Sequence, residues 1–227
     1  VTNDGFERFL RQAADGLRAD VPRPGDTIQR PRSDFDLETG PVEMPDEMAL
    51  KPAAVLVPIV RRPGGAAMLF TQRSAALRRH SGQISFPGGR IDAEDASPLA
   101  AALREAEEEI GLPRQQVTPL GYLDAYLTGT GYRIIPVVGL IEADIALMLN
   151  PGEVDEAFEV PLDYLMDPAN HRRDGREWNG RYRSYYAISY GERYIWGATA
   201  GIVRNLHDRL IAATAVAANT ATGKDSG

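Results

Sequence analysis

Three glutamates, Glu105, Glu108 and Glu109, stand at spacings i, i+3 and i+4 in the stretch GGRIDAEDASPLAAALREAEEEIGL, residues 88–112. On a helical wheel they cluster on one side, away from a narrow apolar face of Leu99, Leu103, Ala106 and Ile110. Carboxylates so placed can converge on one point outside the helix. They repel one another and meet the negative end of the helix dipole, so some compensating charge is required. Two readings are open. One is a solvated acidic face relieved by Arg104; the other is a site for a hard cation, Mg²⁺ or Mn²⁺, whose usual donors are carboxylate oxygens, waters and substrate phosphates.

The elements that must hold these residues are legible in outline. Ser97-Pro98 is a helix start, with serine as cap and proline in the first turn, and Gly111 supplies the left-handed stop after Ile110. Upstream, residues 53–60 (AAVLVPIV) and 66–72 (AAMLFTQ) read as strands around a Pro63-Gly64-Gly65 turn. Ile84-Ser85-Phe86 precedes a forced change of direction at Pro87-Gly88-Gly89. Downstream, residues 117–127 and 133–142 read as two strands around Gly129–Gly131. Residues 157–160 form another, and a short helix follows at 162–166. Asn179-Gly180 marks a hairpin, Tyr194 to Trp196 a short strand, and residues from Gly197 to about Ala218 a terminal helix. Strands outnumber helices, which predicts an α+β domain with a mixed sheet.

Phe6, Phe9, Leu10, Ala13 and Leu17 recur at helical spacing, predicting a helix over residues 4–19. Prolines from Pro22 to Pro52 then interrupt regular structure, giving a strap over the main body. The expected organisation is an N-terminal helix and strap (1–50), the main domain (51–213) and a disordered tail (214–227). The 227 residues are 43% hydrophobic, enough for one core, and contain no apolar run long enough to span a membrane. With no cysteine there is no disulfide, thiolate metal site or cysteine nucleophile. Thirty-two acidic against 25 basic residues leave a net charge of −7, which argues against nucleic acid or an anionic membrane as partner. The N-terminus lacks a signal-peptide pattern, so a soluble cytoplasmic protein is expected. The oligomeric state, monomer or homodimer, is left open.

Residues 104–112, Arg-Glu-Ala-Glu-Glu-Glu-Ile-Gly-Leu, resemble the core of the Nudix box at every specified position, with Gly89 as its upstream glycine. One departure is that Asp95 lies six residues after Gly89 but nine before Arg104, one more than the general box has. That extra residue is similar to the coenzyme A pyrophosphatase branch. So is a second stretch: Leu69 to Ser74 (LFTQRS), then Arg78, Gly82 and Phe86-Pro87-Gly88-Gly89. Weaker likeness extends from about Lys51 to Ala200.

The resemblance implies a Nudix α/β/α sandwich, a mixed sheet between helices, with the box as loop-helix-loop. It implies hydrolysis of the pyrophosphate of coenzyme A, or of its acyl or oxidised forms, to 4′-phosphopantetheine and adenosine 3′,5′-bisphosphate, with Mg²⁺ or Mn²⁺ as cofactor. Glu105, Glu108, Glu109 and the Gly89 carbonyl would hold the metal. Arg104 would orient a glutamate through a bidentate pair, and Glu107 points off the cluster. A further carboxylate, as base or ligand, is sought in residues 151–156, with Glu153 preferred to Glu156. Arg73 and Arg78 would contact phosphate oxygens beside Gly88 and Gly89, with Arg61, Arg62 and Arg79 adding charge. Salt-bridging to the protein's own acids is the rival reading for these arginines. The rival functions are a Nudix hydrolase of ADP-ribose, NADH or a damaged nucleoside triphosphate, a non-catalytic Nudix ligand-binding regulator, and a purely structural acidic domain. Of the histidines, His80 is a substrate candidate, whereas His171 and His207 read as surface residues. Trp196 and tyrosines 182, 185, 186 and 190 read as packing on the sheet, with adenine stacking by one of them as the alternative.

Overall fold

The computed structural model describes residues 3–26, 31–38, 46–76, 81–142, 145–178 and 181–222. Helix α1 (Asn3–Gly16) is followed by β1 (Arg32–Ser33), β2 (Lys51–Arg62), β3 (Gly65–Arg73), β4 (Ile84–Ser85) and β5 (Gly88–Arg90). Then come α2 (Pro98–Ile110), β6 (Val117–Tyr122), β7 (Tyr126–Leu127), β8 (Tyr132–Ile141), β9 (Val154–Pro161) and α3 (Leu162–Met166). The chain ends with β10 (Arg172–Trp178), β11 (Arg181–Tyr190), β12 (Arg193–Trp196) and α4 (Ala198–Thr222).

Among the described residues the main sheet has the order β1-β7-β8-β2-β3-β4, with β5 also on β2, β6 on β8 and β9 on β3. The β2–β8 pair is parallel from Lys51↔Tyr132 to Val60↔Ile141, and the β2–β3 pair is antiparallel, so the sheet is mixed. Strand β2 is buried on both faces, which is why it reads as a near-continuous apolar run. Val57 and Ile59 enter a cluster with Phe6 and Phe9 of α1, Leu162 and Leu165 of α3, and Val203 and Leu206 of α4. Ala54, Leu56 and Val60 enter a second cluster with Ala102, Ala106 and Ile110 of α2. Helices therefore cover both faces, as an α/β/α sandwich requires. A smaller sheet, β10-β11-β12, packs against α4.

Several expectations change. The stretch 117–127 breaks into β6 and β7, because Asp124 between them is drawn towards Asn205 and Arg209 of α4. The strap is not wholly irregular: Arg32 and Ser33 pair in parallel with Tyr126 and Leu127, adding β1 to the sheet edge. Helix α1 ends at Gly16, where Arg18 turns off to bridge Tyr122. On α2 the fully buried positions are Ala101, Ala102, Ala106 and Ile110 together with Glu109, while Leu99 and Leu103 are only partly buried. Alanines let the helix lie close on the sheet, so the leucines move to the margin. Helix α4 runs to Thr222, through positions assigned to the tail, in keeping with its alanine content. Residues 223–227 lie outside the described residues.

Candidate active site

Local chemistry fixes the ends of α2. The Ser97 hydroxyl accepts from Ala100 N–H at 3.1 Å, and Pro98 occupies the first turn. At the other end Gly111 has φ 65° and donates to the Glu107 carbonyl, while Leu112 donates to that of Ala106. A side chain at Gly111 would strike the Met148 backbone, within 3.0 Å of a Cβ. That closeness is used: Met148 N–H donates to Ile110 O and Asn150 N–H to Glu109 O, both at 2.9 Å. Segment 148–150 thereby takes up open carbonyls of the helix end and carries the following turn, with Glu153, to the glutamates. Asn150 Nδ2 donates to Glu153 Oε1 at 3.2 Å. The loop after β3 is tied to the same turn, since Ser74 N–H donates to Glu153 O at 2.8 Å.

Strand β5 closes the site from the β2 side. A Cβ at Gly88 would lie 2.4 Å from Ala54 O, and one at Gly89 2.5 Å from the Glu105 carboxyl group. Gly88 is required by the close approach of the β2 backbone, whereas a side chain at Gly89 would displace the end of the Glu105 side chain. Gly88 N–H donates to Glu109 Oε2 at 3.3 Å, and Arg73 Nη1 stands 3.7 Å from Glu109 Oε1. Glu109 is only 2% exposed. Burial pushes its carboxyl up to about 7; Arg73 and the Gly88 N–H oppose this, and the charges of Glu105 and Glu153 add to it. Glu105 is raised in the same way, by burial first, with Arg104 opposing and Glu108 and Glu153 adding. The Arg73 Nε is a buried donor with no partner among the described residues.

Arg104 does not grip a glutamate in bidentate fashion as expected. Its Nε and Nη2 donate to the two oxygens of Asp95, at 3.1 and 2.9 Å, while Nη1 is shared between Glu105 (2.9 Å) and Glu108 (3.1 Å). This pairing holds the Asp95 carboxyl below its ordinary range. Asp95 also accepts from Asp92 N–H, closing the 92–95 turn. The 92–95 turn thus presents Asp95 to Arg104. The only sequence signal for that was its offset from Gly89.

Glu107 turns away to Arg114, and Glu108 is more than half exposed. Glu156 is bound by Arg193 alongside Gln72, whereas Glu153 lies close enough to act on Glu105 and Glu109. Arg61 and Arg62 are not near the site. They end β2 opposite Gly65, far along the strand from the Val55↔Gly88 pair, and engage Glu142 and Glu159. Arg78, Arg79 and His80 lie outside the described residues. His171 and His207 are not surface residues. They are 9% and 5% exposed, and their rings meet edge to face at 5.3 Å beneath Leu165. Tyr186 and Tyr190 pack into the core, but Tyr182 is 63% exposed and Tyr185 meets Trp196 on the other side of the small sheet.

Among the described residues, no three histidines or acids already enclose a point that could hold an ion. The donors nevertheless suit a hard divalent cation. They are carboxylate oxygens, and Glu109 and Glu105 are buried, mutually repelling acids whose raised affinity for protons marks a shortage of positive charge.

The model of the NUDIX domain family matches residues 50–181. The Escherichia coli (strain K12) protein described as "Uncharacterized Nudix hydrolase NudL" is 44% identical over 154 residues, 68% of this chain and 80% of that protein. Its counterpart in Shigella boydii serotype 18 has the same identity and coverage. Among solved structures, the M. smegmatis Nudix hydrolase RenU is 28% identical with a TM-score of 0.44, covering 52% of this chain and 74% of that one. A MutT/nudix family protein from Enterococcus faecalis is 14% identical with a TM-score of 0.45, covering 75% and 65%.

Proposed function

Because this chain belongs to the Nudix hydrolase family, we propose that it hydrolyses the pyrophosphate of coenzyme A, or of its acyl or oxidised forms. The products are 4′-phosphopantetheine and adenosine 3′,5′-bisphosphate. One observation carries the reading. The two stretches that resemble the coenzyme A branch come together as one site, with Arg73 of the upstream stretch beside Glu109 of the box, and Gly88 N–H on the same carboxylate.

Glu105, Glu108, Glu109 and the Gly89 carbonyl would hold Mg²⁺ or Mn²⁺. Such an ion supplies charge neutralisation at the pyrophosphate oxygens and a water of lowered pKa. The chain's own residues do the rest. Arg73, whose side chain is partly exposed beside Glu109, offers the accessible part of its guanidinium to a phosphate oxygen. Arg104 holds the Asp95 turn and steadies Glu105 and Glu108 from the side, without touching substrate. Glu153, outside the trio and held by Asn150, receives the proton of the attacking water. Water oxygen bonds to one phosphorus as the bridging P–O bond breaks, and the departing phosphate carries the electron pair.

The test is chromatography of products after incubating the protein with coenzyme A and Mg²⁺ or Mn²⁺, beside a Glu109→Gln variant and a panel of ADP-ribose, NADH and nucleoside triphosphates. Adenosine 3′,5′-bisphosphate should appear with the wild type and be lost with the variant. Turnover of another panel member alone would keep the Nudix chemistry and overturn coenzyme A as substrate. Ligand binding without any turnover would favour the regulator.

A further inference from the structure

The small sheet carries two unlike faces. By its pairing, Tyr186, Ile188, Tyr190 and Ile195 point one way, into the core beside α4. Arg176, Arg183, Tyr185 and Trp196 point the other way, on strands paired Arg176↔Arg183 and Ala187↔Trp196. There the side chains are stacked. The Arg176 guanidinium lies 4.5 Å from the Trp196 ring centroid, and the Trp196 and Tyr185 rings are 5.2 Å apart at 53°. Arg183 lies over the ring of Phe35, 5.3 Å away, which joins this face to the turn after β1. Tyr194 O–H donates to Asp174 at 2.6 Å and stiffens the neighbouring edge. Arg176 is exposed, so the stack ends in a planar cation at the surface of a chain whose net charge is −7.

A chain of contacts runs from the strand that carries Trp196 to the candidate active site. Strand β12 packs beside β4, and Thr199, three residues beyond Trp196, donates through its hydroxyl to Ile84 O at 3.1 Å. Ile84 is four residues before Gly88, whose N–H meets Glu109, a span of at most about 14 Å of extended chain. Residues 196–199 add at most about 11 Å more, so these two segments and the contacts that join them separate the stack from Glu109, and a nucleotide whose pyrophosphate lay at Glu109 would extend its far end along them.

We infer that the stack of Arg176, Trp196 and Tyr185 is the platform on which the adenine ring of the substrate lies, with Arg176 and Arg183 supplying positive charge for a phosphate on its ribose. This rests on the proposed coenzyme A reading for the ribose phosphate, but needs only an adenine nucleotide for the stacking. Guanidinium and indole planes both stack on a base, and a guanidinium also donates to phosphate oxygens.

The test is calorimetric binding of adenosine 3′,5′-bisphosphate, adenosine 5′-diphosphate and 4′-phosphopantetheine to the full chain, with KM and kcat measured in parallel. Trp196→Ala should weaken both adenine nucleotides about ten- to hundredfold. Trp196→Phe should restore most of that affinity, and 4′-phosphopantetheine should bind as before. KM should rise in the alanine variant with kcat little changed. Arg176→Ala, at an exposed position and safe for folding, should weaken adenosine 3′,5′-bisphosphate more than adenosine 5′-diphosphate. Adenine nucleotides that bind equally to the wild type and to Arg176→Ala and Trp196→Ala, or that fail to bind the wild type, would overturn the platform. If ADP-ribose is hydrolysed and coenzyme A is not, while adenine affinity still depends on Trp196, the substrate reading fails and the stacking stands. If coenzyme A is hydrolysed with adenine affinity insensitive to both variants, only the platform fails.

Discussion

Glu109 and Asp124 are both buried carboxylates, 2% and 7% exposed, on opposite sides of the main sheet, yet their surroundings push them in opposite directions. Burial pushes Asp124 up, but hydrogen bonds from Arg209 and Asn205 outweigh it and hold the carboxyl below the ordinary aspartate value. Arg209 grips both oxygens, Asn205 Nδ2 donates at 2.8 Å, and Arg209 also donates to the Gly16 carbonyl, pinning α1 to α4. Glu109 has one N–H at 3.3 Å and a guanidinium at 3.7 Å, against two neighbouring acids. The charge of Asp124 is answered within the fold. That of Glu109 is not, an imbalance in keeping with its proposed role as a cation ligand.

The sharpest way to break this contrast is to neutralise the unanswered charge. Glu109→Gln should lower kcat/KM by on the order of 10²–10³, the scale of losing one preorganised charge at a reacting centre. Its thermal midpoint should hold or rise, because a neutral amide removes a poorly compensated buried charge. Kinetics and melting curves on the same preparation decide this. A variant that melts much earlier than wild type would make Glu109 structural too.

Asp124→Ala should do the reverse. Leaving Arg209 without its partner should cost about 3 kcal/mol. For a chain of this size that is a fall in melting temperature of about 6–12 °C. Activity per folded molecule should be unchanged. The same pair sets the acid limit of stability. A carboxyl held below its unfolded value of about 3.9 stabilises above that pH and loses its contribution as pH falls through the depressed folded value. In urea titrations below about pH 4, Asp124→Ala should therefore show a flatter loss of stability than wild type.

Divalent cations supply a third discriminator. Mg²⁺ at about a hundred times its dissociation constant should stabilise the wild type by about 2.7 kcal/mol if it binds the folded state alone. Asp124→Ala should keep that increment and Glu109→Gln should lose most of it, read as the shift in melting temperature on adding the ion. Equal shifts in all three proteins would place the cation elsewhere.

What could be read from the chain beforehand follows the range of the interactions. Helix α2 was legible because its start, stop and periodicity are all local: Ser97-Pro98, Gly111 and the glutamate spacing. The strands on either side of the Pro63–Gly65 turn were legible for the same reason. Strand β1 was not, since Arg32 and Ser33 become a strand only by meeting Tyr126 and Leu127. The Arg104–Asp95 grip depends on how the 92–95 turn folds, and the approach of Glu153 depends on segment 148–150 docking on the helix end. Neither leaves a periodic trace. The burial of His171 was hidden because a single histidine in a polar stretch carries no periodicity that would mark it as inward, whereas His207 stands at helical spacing from Val203 and Leu210, a signal that marked its inward face.

Those histidines sharpen the contrast at its smallest scale, because His171 sits on the structural side of the sheet and is still only half satisfied. One ring nitrogen stands 2.6 Å from Leu165 O, the other is buried without a partner among the described residues, and His207 has a nitrogen in the same state. Burial holds the His171 imidazole below its ordinary value; the charges of His207 and Arg204 act in the same direction, while the Leu165 hydrogen bond and Asp208 oppose them. The native state then binds fewer protons than the unfolded chain just below about pH 6.5, so stability falls as pH drops through that range. His171→Gln keeps a donor for Leu165 O and removes the group that must charge. Its urea midpoint should fall less between pH 7 and pH 5 than that of the wild type. An unaltered slope would mean that the unpartnered buried nitrogen of His171 carries no cost that pH can reveal.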